Sequence, residues 1–199
     1  MLETYAKNKL MSMKQMLRIN PTLINGVSVI DTNTITDSRG GFLRAFCINE
    51  LAPVLGSKTI KQINISNTKE KGSFRGLHFQ RQPACEIKFV RCLKGRVWDI
   101  ALDLRKGSQT FLKYFCAELS SENKKMMVLP EGVAHGFQTL DDECELLYLH
   151  TEVFSPQLED GVRWNDPMIQ LKLPLSITQI SKKDETYELL SNNFDGIAV

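Results

Sequence analysis

The sequence predicts an all-β domain, an antiparallel sandwich or barrel such as a jelly roll. From Gly26 to about Thr151 the chain runs through short apolar or alternating segments separated by Gly, Pro, Asn and Asp. Helical periodicity is nearly absent from this region. A length of 199 residues corresponds to one ordinary domain and leaves little room for a full α/β barrel.

Composition and charge are those of a soluble globular protein. Hydrophobic residues make up 42% and charged residues 24% of the chain, enough for a sizeable core. The 25 Lys and Arg against 23 Asp and Glu leave a net charge of +2, so we expect no nucleic-acid or membrane partner. We also expect a cytoplasmic protein, because the start lacks a signal-peptide apolar region and the five cysteines, without CxxC spacing, favour free thiols in a reducing compartment.

The elements are predicted in chain order from apolar runs bounded by turn residues. Around Asn49 to Leu55 the pattern favours a short helix, and residues 181–190 favour another, which Ser181 can cap with Asp184 at its third position. The candidate strands span residues 27–31, 42–46, 60–66, 74–79, 86–93, 96–104, 111–119, 125–129, 135–140 and 144–151.

Two of these strands allow a finer prediction. The segment RVWDIALDL, residues 96–104, alternates as a strand with one buried face does. The dipeptide Lys94-Gly95 before it favours a tight turn. We therefore expect residues 86–93 and 96–104 to pair as a hairpin.

The ends of the chain are predicted to lie outside the β domain. Residues 1–23 are expected to form an N-terminal extension, either a short helix, since Leu10, Met13 and Leu17 have helical spacing, or a frayed terminus. The jelly-roll domain is expected over residues 24–190. Residues 191–199 are expected to form a C-terminal tail.

Several strand-like runs carry polar residues suited to chemistry. Arg75 and His78 share the run SFRGLHFQ, in which Gly76 permits a backbone bend or a close approach. A lone histidine on a strand is more often structural. Lys88 has apolar neighbours, so its side chain must either snorkel out of the sheet or point into a polar cavity.

Three further candidates are His135 in PEGVAHGF, Tyr148 in LLYLHT and Asp184 in SKKD. Each has an ordinary alternative: a turn that needs its glycines, a core tyrosine, and an acid that caps a helix or is solvated. The three histidines of the chain lack the close spacing of common metal sites. We expect no metal site.

Taken together, these segments form a longer series: FRGLHFQ (74–80), Lys88 with VRCLKG (90–95), DLRKGS (103–108), LPEGVAHGF (129–137), LLY (146–148), GVRWNDP (161–167) and ISKKD (180–184). In order and spacing the series resembles the dTDP-4-dehydrorhamnose 3,5-epimerase family, from about Ile24 to Leu190. The resemblance implies a cupin-like jelly roll with short peripheral helices that works as a homodimer. It also implies a cofactor-independent epimerase acting on a nucleotide-linked 4-keto-6-deoxyhexose in deoxysugar biosynthesis.

The resemblance assigns the chemistry to four residues. His78 matches the general base, and Asp184 matches the carboxylate that pairs with it. Lys88 matches the cation beside the C4 oxygen, and Tyr148 matches the general acid on the opposite face. This set fits the reaction, because loss of a proton at C3 or C5 gives an enolate delocalised onto the C4 oxygen.

The same resemblance implies a set of binding residues. Arg75, Arg39, Gln62 and Asn64 correspond to positions near the diphosphate and the sugar, where guanidinium groups can bind phosphate. His135 corresponds to a second active-site histidine. The segment around Arg39 is expected to reach the partner subunit's site.

Two segments depart from the family pattern. Phe42-Leu43-Arg44 stands where the family has Phe-x-Glu, and Val153-Phe154 stands where it has Tyr-Tyr. The chemistry is expected to stay intact, while the nucleotide, the sugar and the number of inverted carbons remain open. Phe154 is therefore included among the substrate-binding candidates.

Three alternatives are compared with this interpretation. One is a single-centre epimerase acting on a different nucleotide sugar. Another is a jelly-roll module that binds a nucleotide sugar without turning it over, although binding alone needs no acid/base set. A metal-dependent cupin would need two histidines two residues apart, and His78 is followed by Gln80 instead.

Overall fold

The fold is described from a computed structural model, which covers residues 15–199. The elements of this part of the chain are, in order, β1 (Leu17–Pro21), β2 (Ser28–Thr32), β3 (Thr34–Asp37), β4 (Gly40–Leu43), α1 (Ile48–Leu55), β5 (Gln62–Thr68), β6 (Phe74–Gln80), β7 (Lys88–Lys94), β8 (Arg96–Asp103), β9 (Tyr114–Ser120), β10 (Met126–Leu129), β11 (Val133–Thr139), β12 (Cys144–His150), β13 (Glu159–Gly161) and α2 (Lys182–Thr186). The all-β prediction is confirmed.

Two antiparallel sheets form the body of the domain. The six-stranded sheet has the order β1-β2-β10-β7-β12-β5, and the five-stranded sheet has the order β13-β6-β11-β8-β9. Strands β3 and β4 form a separate ribbon. Neighbours in these sheets are mostly distant in sequence, as in a jelly roll.

The core between the sheets comes from alternate residues of their strands. Val90 on β7 and Leu146 on β12 pack in one cluster with Val97 and Ala101 on β8 and Phe137 on β11. Because a strand presents every second residue to one face, each sheet contributes a continuous apolar surface. Burial of each larger side chain stabilises the fold by roughly 1.5–3 kcal/mol relative to exposure.

Strand β8 is buried on both faces, so the prediction of a single buried face was wrong. Ile100 and Leu102 point away from the space between the sheets and pack with Ile169 and Ile197 from the C-terminal part of the chain. The expected tail therefore includes a buried residue, Ile197, which also bridges to Arg105. Alternation within a strand cannot reveal this covering by a distant segment.

The predicted hairpin at Lys94-Gly95 is also wrong. Strand β7 pairs with β10 and β12, whereas β8 pairs with β9 and β11 in the other sheet. Gly95 has a φ of +75° and carries the chain from one sheet to the other. The tight turn was placed correctly, but it joins two layers and not two paired strands.

The N-terminal boundary lies earlier than expected. Leu17 belongs to β1, which pairs with β2 at the edge of the six-stranded sheet, while Leu10 and Met13 lie outside the described residues. Helix α1 was predicted within one residue, and it packs Leu51 and Leu55 on the outer face of this sheet. Strands β1, β3 and β13 were not predicted.

The structure also shows the state of the cysteines and the length of the helices. All five cysteines are free, three of them buried: Cys85, Cys92 and Cys144. Among the helices of residues 15–199, none is long and apolar enough to cross a membrane.

Candidate active site

The space between the sheets changes from apolar to polar toward one end. Leu146, Tyr148 and His150 follow one another on the inward face of β12, and Val90 and Lys88 do so on β7. The inner members, Leu146 and Val90, belong to the core. The outer members, Tyr148, His150 and Lys88, line a cavity of about 250 Å³.

His78 on β6 lines this cavity from the five-stranded sheet and is paired with Asp184. The Nε2 atom of His78 lies 2.7 Å from Oδ1 of Asp184, and the backbone N–H of Gly76 donates to Oδ2 at 3.2 Å. Burial opposes ionisation of Asp184, but these bonds outweigh it and hold the pKa of its carboxyl below the usual value. The pairing leaves Nδ1 of His78 for another partner.

Helix α2 places Asp184 at this point. The helix begins after Ser181, whose Oγ accepts the backbone N–H of Asp184 at 3.0 Å, as the sequence predicted. The side chain of Asp184 is buried against β6. The short helix thus carries the carboxylate to a histidine that is distant in sequence.

Two glycines bring β6 and β11 close together beneath the histidines. A Cβ atom on Gly76, which has a φ of +133°, would lie 2.5 Å from Cα of Gly136 and 2.9 Å from the carbonyl oxygen of His135. No side chain fits there. His78 is consequently placed directly opposite His135 in the strand register.

Tyr148 faces this pair from the other sheet. Its hydroxyl lies 3.3 Å from Oγ of Ser66, and its ring contacts that of His135 edge-on at a centroid distance of 6.0 Å. Burial raises the pKa of the Tyr148 phenol, and the Ser66 hydrogen bond only partly offsets this effect. The phenol is therefore protonated at neutral pH and can act as a proton donor.

Lys88 points into the cavity, and its cationic group has a carboxylate beside it. Its Nζ lies 3.5 Å from Oε1 of Glu86, whose Oε2 lies 2.6 Å from Nδ1 of His150. Burial opposes ionisation of Glu86, but Lys88 and His150 outweigh it and hold the pKa of Glu86 below its ordinary value. The sequence left two alternatives for the Lys88 side chain, snorkelling out of the sheet or pointing into a polar cavity. The structure shows the second.

His135 and Asp99 form a second buried acid–histidine pair on the five-stranded sheet. Nε2 of His135 lies 2.7 Å from Oδ1 of Asp99, and both side chains are almost completely buried. Burial lowers the pKa of His135 and raises that of Asp99, although each partner opposes the shift of the other. Burial therefore favours the uncharged form of each group.

A larger cleft of about 570 Å³ adjoins the cavity, and Arg75 and His78 line both spaces. The lining of the cleft carries both signs of charge, with Lys69, Arg75 and Lys183 against Glu70, Glu159 and Asp184, and Glu159 pairs with Lys183. The guanidinium of Arg75 donates to the backbone oxygen of Asn67 at 3.2 Å. Arg75 thus stands at the junction through which an extended anionic ligand could pass.

The structure distributes the remaining predicted binding residues unevenly. Asn64 lines the cavity. Gln62 accepts the backbone N–H of Phe154 at 3.0 Å, and the Phe154 side chain is 47% exposed at the surface. Arg39 lies at the turn between β3 and β4, 88% exposed and paired with Asp37, so it is not part of this chain's own cavity.

Sequence reasoning missed four polar residues of the site: Ser66, Glu86, Asp99 and His150. A signal existed for two of them, because His150 lies two residues beyond Tyr148 on the same strand face and Asp99 interrupts an apolar run. Arg44, which departs from the family pattern, pairs with Glu50, whose carboxylate also accepts the backbone N–H groups of Met16 and Leu17. Within residues 15–199 no cluster of three or more His, Cys, Asp or Glu has the arrangement of a metal site.

These features define a class: a jelly-roll protein with an acid–base cavity between its two sheets. A model of the dTDP-4-dehydrorhamnose 3,5-epimerase family matches residues 21–192. An enzyme of that name from Salmonella typhimurium is 39% identical over 177 residues, which cover 88% of this chain and 96% of the relative. The chain belongs to the dTDP-4-dehydrorhamnose 3,5-epimerase family of isomerases.

Two other comparisons extend this result. A 3,5-epimerase from Legionella pneumophila, whose crystal structure contains dTDP-4-keto-L-rhamnose, superimposes with a TM-score of 0.82 at 34% identity, covering 87% of this chain and 92% of the other. A dTDP-4-dehydrorhamnose 3-epimerase from Streptomyces niveus is 32% identical over 180 residues, or 90% of this chain and 86% of the relative. The family therefore includes relatives named for inversion at one carbon as well as at two.

Proposed function

We propose that this chain inverts C3, C5 or both in a dTDP-linked 4-keto-6-deoxyhexose, without a cofactor. One observation carries the proposal: His78 and Tyr148 face the same cavity from opposite sheets. Inversion requires that a proton leave one face of the carbon and that another arrive at the opposite face. The names of the relatives supply the substrate class.

The first step is proton abstraction beside the C4 carbonyl. Nδ1 of His78 takes the proton, and the electron pair of the C–H bond moves to the C4 oxygen as an enolate. Asp184, hydrogen-bonded to Nε2, stabilises the imidazolium that forms. Lys88 stabilises the charge that develops on the oxygen.

The second step returns a proton to the opposite face. The phenol of Tyr148 donates its proton to the carbon and the C4 carbonyl re-forms; the phenolate then recovers a proton from solvent, and the imidazolium of His78 releases to solvent the proton that it took. A protonated phenol is available for this step because the ordinary pKa of tyrosine already lies well above neutral pH, and burial raises the pKa of Tyr148 further.

We further propose that the enzyme is a cytoplasmic homodimer. Ile63 and Ile65 are 61% and 65% exposed on β5, an edge strand of the six-stranded sheet. Phe42, on the ribbon that carries Arg39, is also exposed. Such apolar surface supports a protein interface, which would let Arg39 reach the partner's cavity. The free thiols support a reducing compartment.

The test is incubation of the substrate with enzyme in D₂O, read by mass and NMR. We expect deuterium at C3, C5 or both with the wild type, and undiminished uptake after prolonged treatment with a chelator. His78→Ala should block uptake, whereas Tyr148→Phe should retain some exchange while inversion falls. Substrate binding without any exchange would indicate a binding module and contradict the proposal.

The same measurement decides between double and single inversion. The relative from Streptomyces niveus is named a 3-epimerase and is 32% identical over 90% of this chain. Deuterium at C3 alone would identify a single-centre enzyme.

A further inference from the structure

His150 is a polar residue of the cavity to which the reaction described above gives no role. Its Nδ1 lies 2.6 Å from a carboxylate oxygen of Glu86. Because the pKa of Glu86 is lowered and its carboxylate accepts, Nδ1 carries a hydrogen and donates it. Nε2 is then an acceptor that faces the cavity, where the amide Nδ2 of Asn64 donates to it at 3.4 Å, a long hydrogen bond that a substrate hydroxyl can replace.

The imidazole of His150 is held firmly in this orientation. Its side chain is 12% exposed, and its ring stacks on Tyr148 with a centroid distance of 6.0 Å and an interplanar angle of 17°. In the strand register His150 stands opposite Lys88 on one side and Gln62 on the other. A buried polar group in a fixed orientation is the arrangement found in pre-organised binding sites.

The neighbours of His150 indicate which part of the substrate it would meet. Lys88, directly across the strand pair, marks the C4 oxygen in the proposed reaction, and Tyr148, two residues along, marks the carbon that is protonated. Because His150 is next to both Lys88 and Tyr148, we expect it to lie beside a substituent of C3 or C5, the two carbons adjacent to C4. Of those two substituents, the hydroxyl on C3 can donate to Nε2, whereas the methyl group on C5 cannot.

We propose that His150 is a specificity-determining residue that accepts a hydrogen bond from the C3 hydroxyl of the sugar through Nε2. Glu86 is its positioning residue, because it fixes which nitrogen carries the hydrogen. This inference rests on the proposed function. The enzyme would then select 4-keto sugars that carry the C3 hydroxyl over sugars that lack it.

Two substitutions distinguish a direct hydrogen bond between His150 and the sugar from a purely structural role, in which His150 only holds Glu86 and Lys88 in place. His150→Asn retains an amide N–H near the position of Nδ1, which can bind Glu86, but removes the atom at Nε2. His150→Gln retains a polar group near Nε2. Binding of dTDP, measured by calorimetry, shows in each case that the variant is folded.

The readout is deuterium uptake at the carbons beside the carbonyl, measured with the dTDP-linked 4-keto-6-deoxyglucose and with its 3-deoxy analogue. The quantity compared is the ratio of the two kcat/KM values. We expect His150→Asn to lower the wild-type ratio by about three- to tenfold, the effect of one lost neutral hydrogen bond. His150→Gln should preserve most of the ratio.

Two results overturn the inference in distinguishable ways. If His150→Asn slows both substrates equally and the ratio is unchanged, His150 only supports its neighbours and the inference is wrong. If the wild type takes up no deuterium from either sugar, the proposed function fails and the inference fails with it.

Discussion

Replacing Asp184 with Asn removes a charge from the site while nearly keeping the shape of the side chain. The backbone N–H of Gly76 donates to one oxygen of Asp184, and His78 Nε2 approaches the other. In the variant the amide oxygen remains with Gly76, so the amide NH₂ group must face Nε2. Nε2 then has to accept, which moves the ring hydrogen onto Nδ1, the nitrogen that is proposed to take the proton.

The expected loss can be worked out from these contacts. A hydrogen bond to a charged group contributes about 1.5–3 kcal/mol, which corresponds to roughly 10- to 150-fold in rate. The blocked nitrogen sets the larger loss, because a positioned base contributes about 10²–10⁴-fold and both effects act on the same proton transfer, so they do not multiply. We therefore expect kcat of Asp184→Asn to fall by about 10²–10⁴-fold, with the affinity for dTDP little changed.

The assay is the rate of deuterium uptake under saturating substrate, together with urea unfolding to confirm a folded protein. Ser181→Ala is the matched control on the same helix. It removes the acceptor of the Asp184 backbone N–H, at a cost of about 1 kcal/mol in stability, and leaves the carboxylate in place. If Asp184→Asn exchanges deuterium within about threefold of the wild type, Asp184 does not orient the base and the reasoning is refuted.

Three further predictions concern stability, specificity and assembly. Burial opposes ionisation of Asp103, but hydrogen bonds from Arg105 and two hydroxyl groups lower its pKa to about 2. Because the carboxyl of an unfolded chain has a pKa of about 3.9, this shift stabilises the fold by roughly 2–3 kcal/mol above pH ~4. Urea unfolding should show that stabilisation lost as the pH falls toward 2, and Asp103→Asn should lack this pH dependence. Phe154→Tyr should change the ratio of deuterium uptake at C3 and C5 by up to about tenfold, the effect of one hydrogen bond; an unchanged ratio would show the substitution to be neutral. Mixing an Arg39→Ala protein with a His78→Ala protein should restore activity after subunit exchange, because one site of the mixed dimer is intact; no recovery in verified mixed dimers would place Arg39 outside the partner's site.

Strand positions could be predicted from the sequence because alternation and turn residues are local properties. Strand partners could not, as β7 and β8 show: Lys94-Gly95 predicts a turn, but the sheet that each strand joins depends on contacts with β10, β12, β9 and β11. The second buried face of β8 likewise depends on Ile169 and Ile197, which lie far along the chain. Local patterns carry no information about such pairings.

The site shows the same division between local and distant information. His78, Lys88, Tyr148, Asp184 and His135 were predicted through a family resemblance, whereas Glu86, Asp99 and His150 were not. Glu86 and His150 are 64 residues apart, and Asp99 and His135 are 36 apart. Each pairing is created by the register of antiparallel strands, so the sequence can single out a residue such as His135 but cannot show which residue it meets.

The arrangement of charged side chains in the cavity stabilises the proposed intermediate, because each charge that forms in the reaction lies beside an opposite charge. Before the reaction, Lys88 is balanced by Glu86, and Asp184 lies against His78. Proton abstraction creates an imidazolium next to Asp184 and an enolate next to Lys88. Each contact at about 4 Å is worth roughly 4 kcal/mol at an effective dielectric constant of about 20.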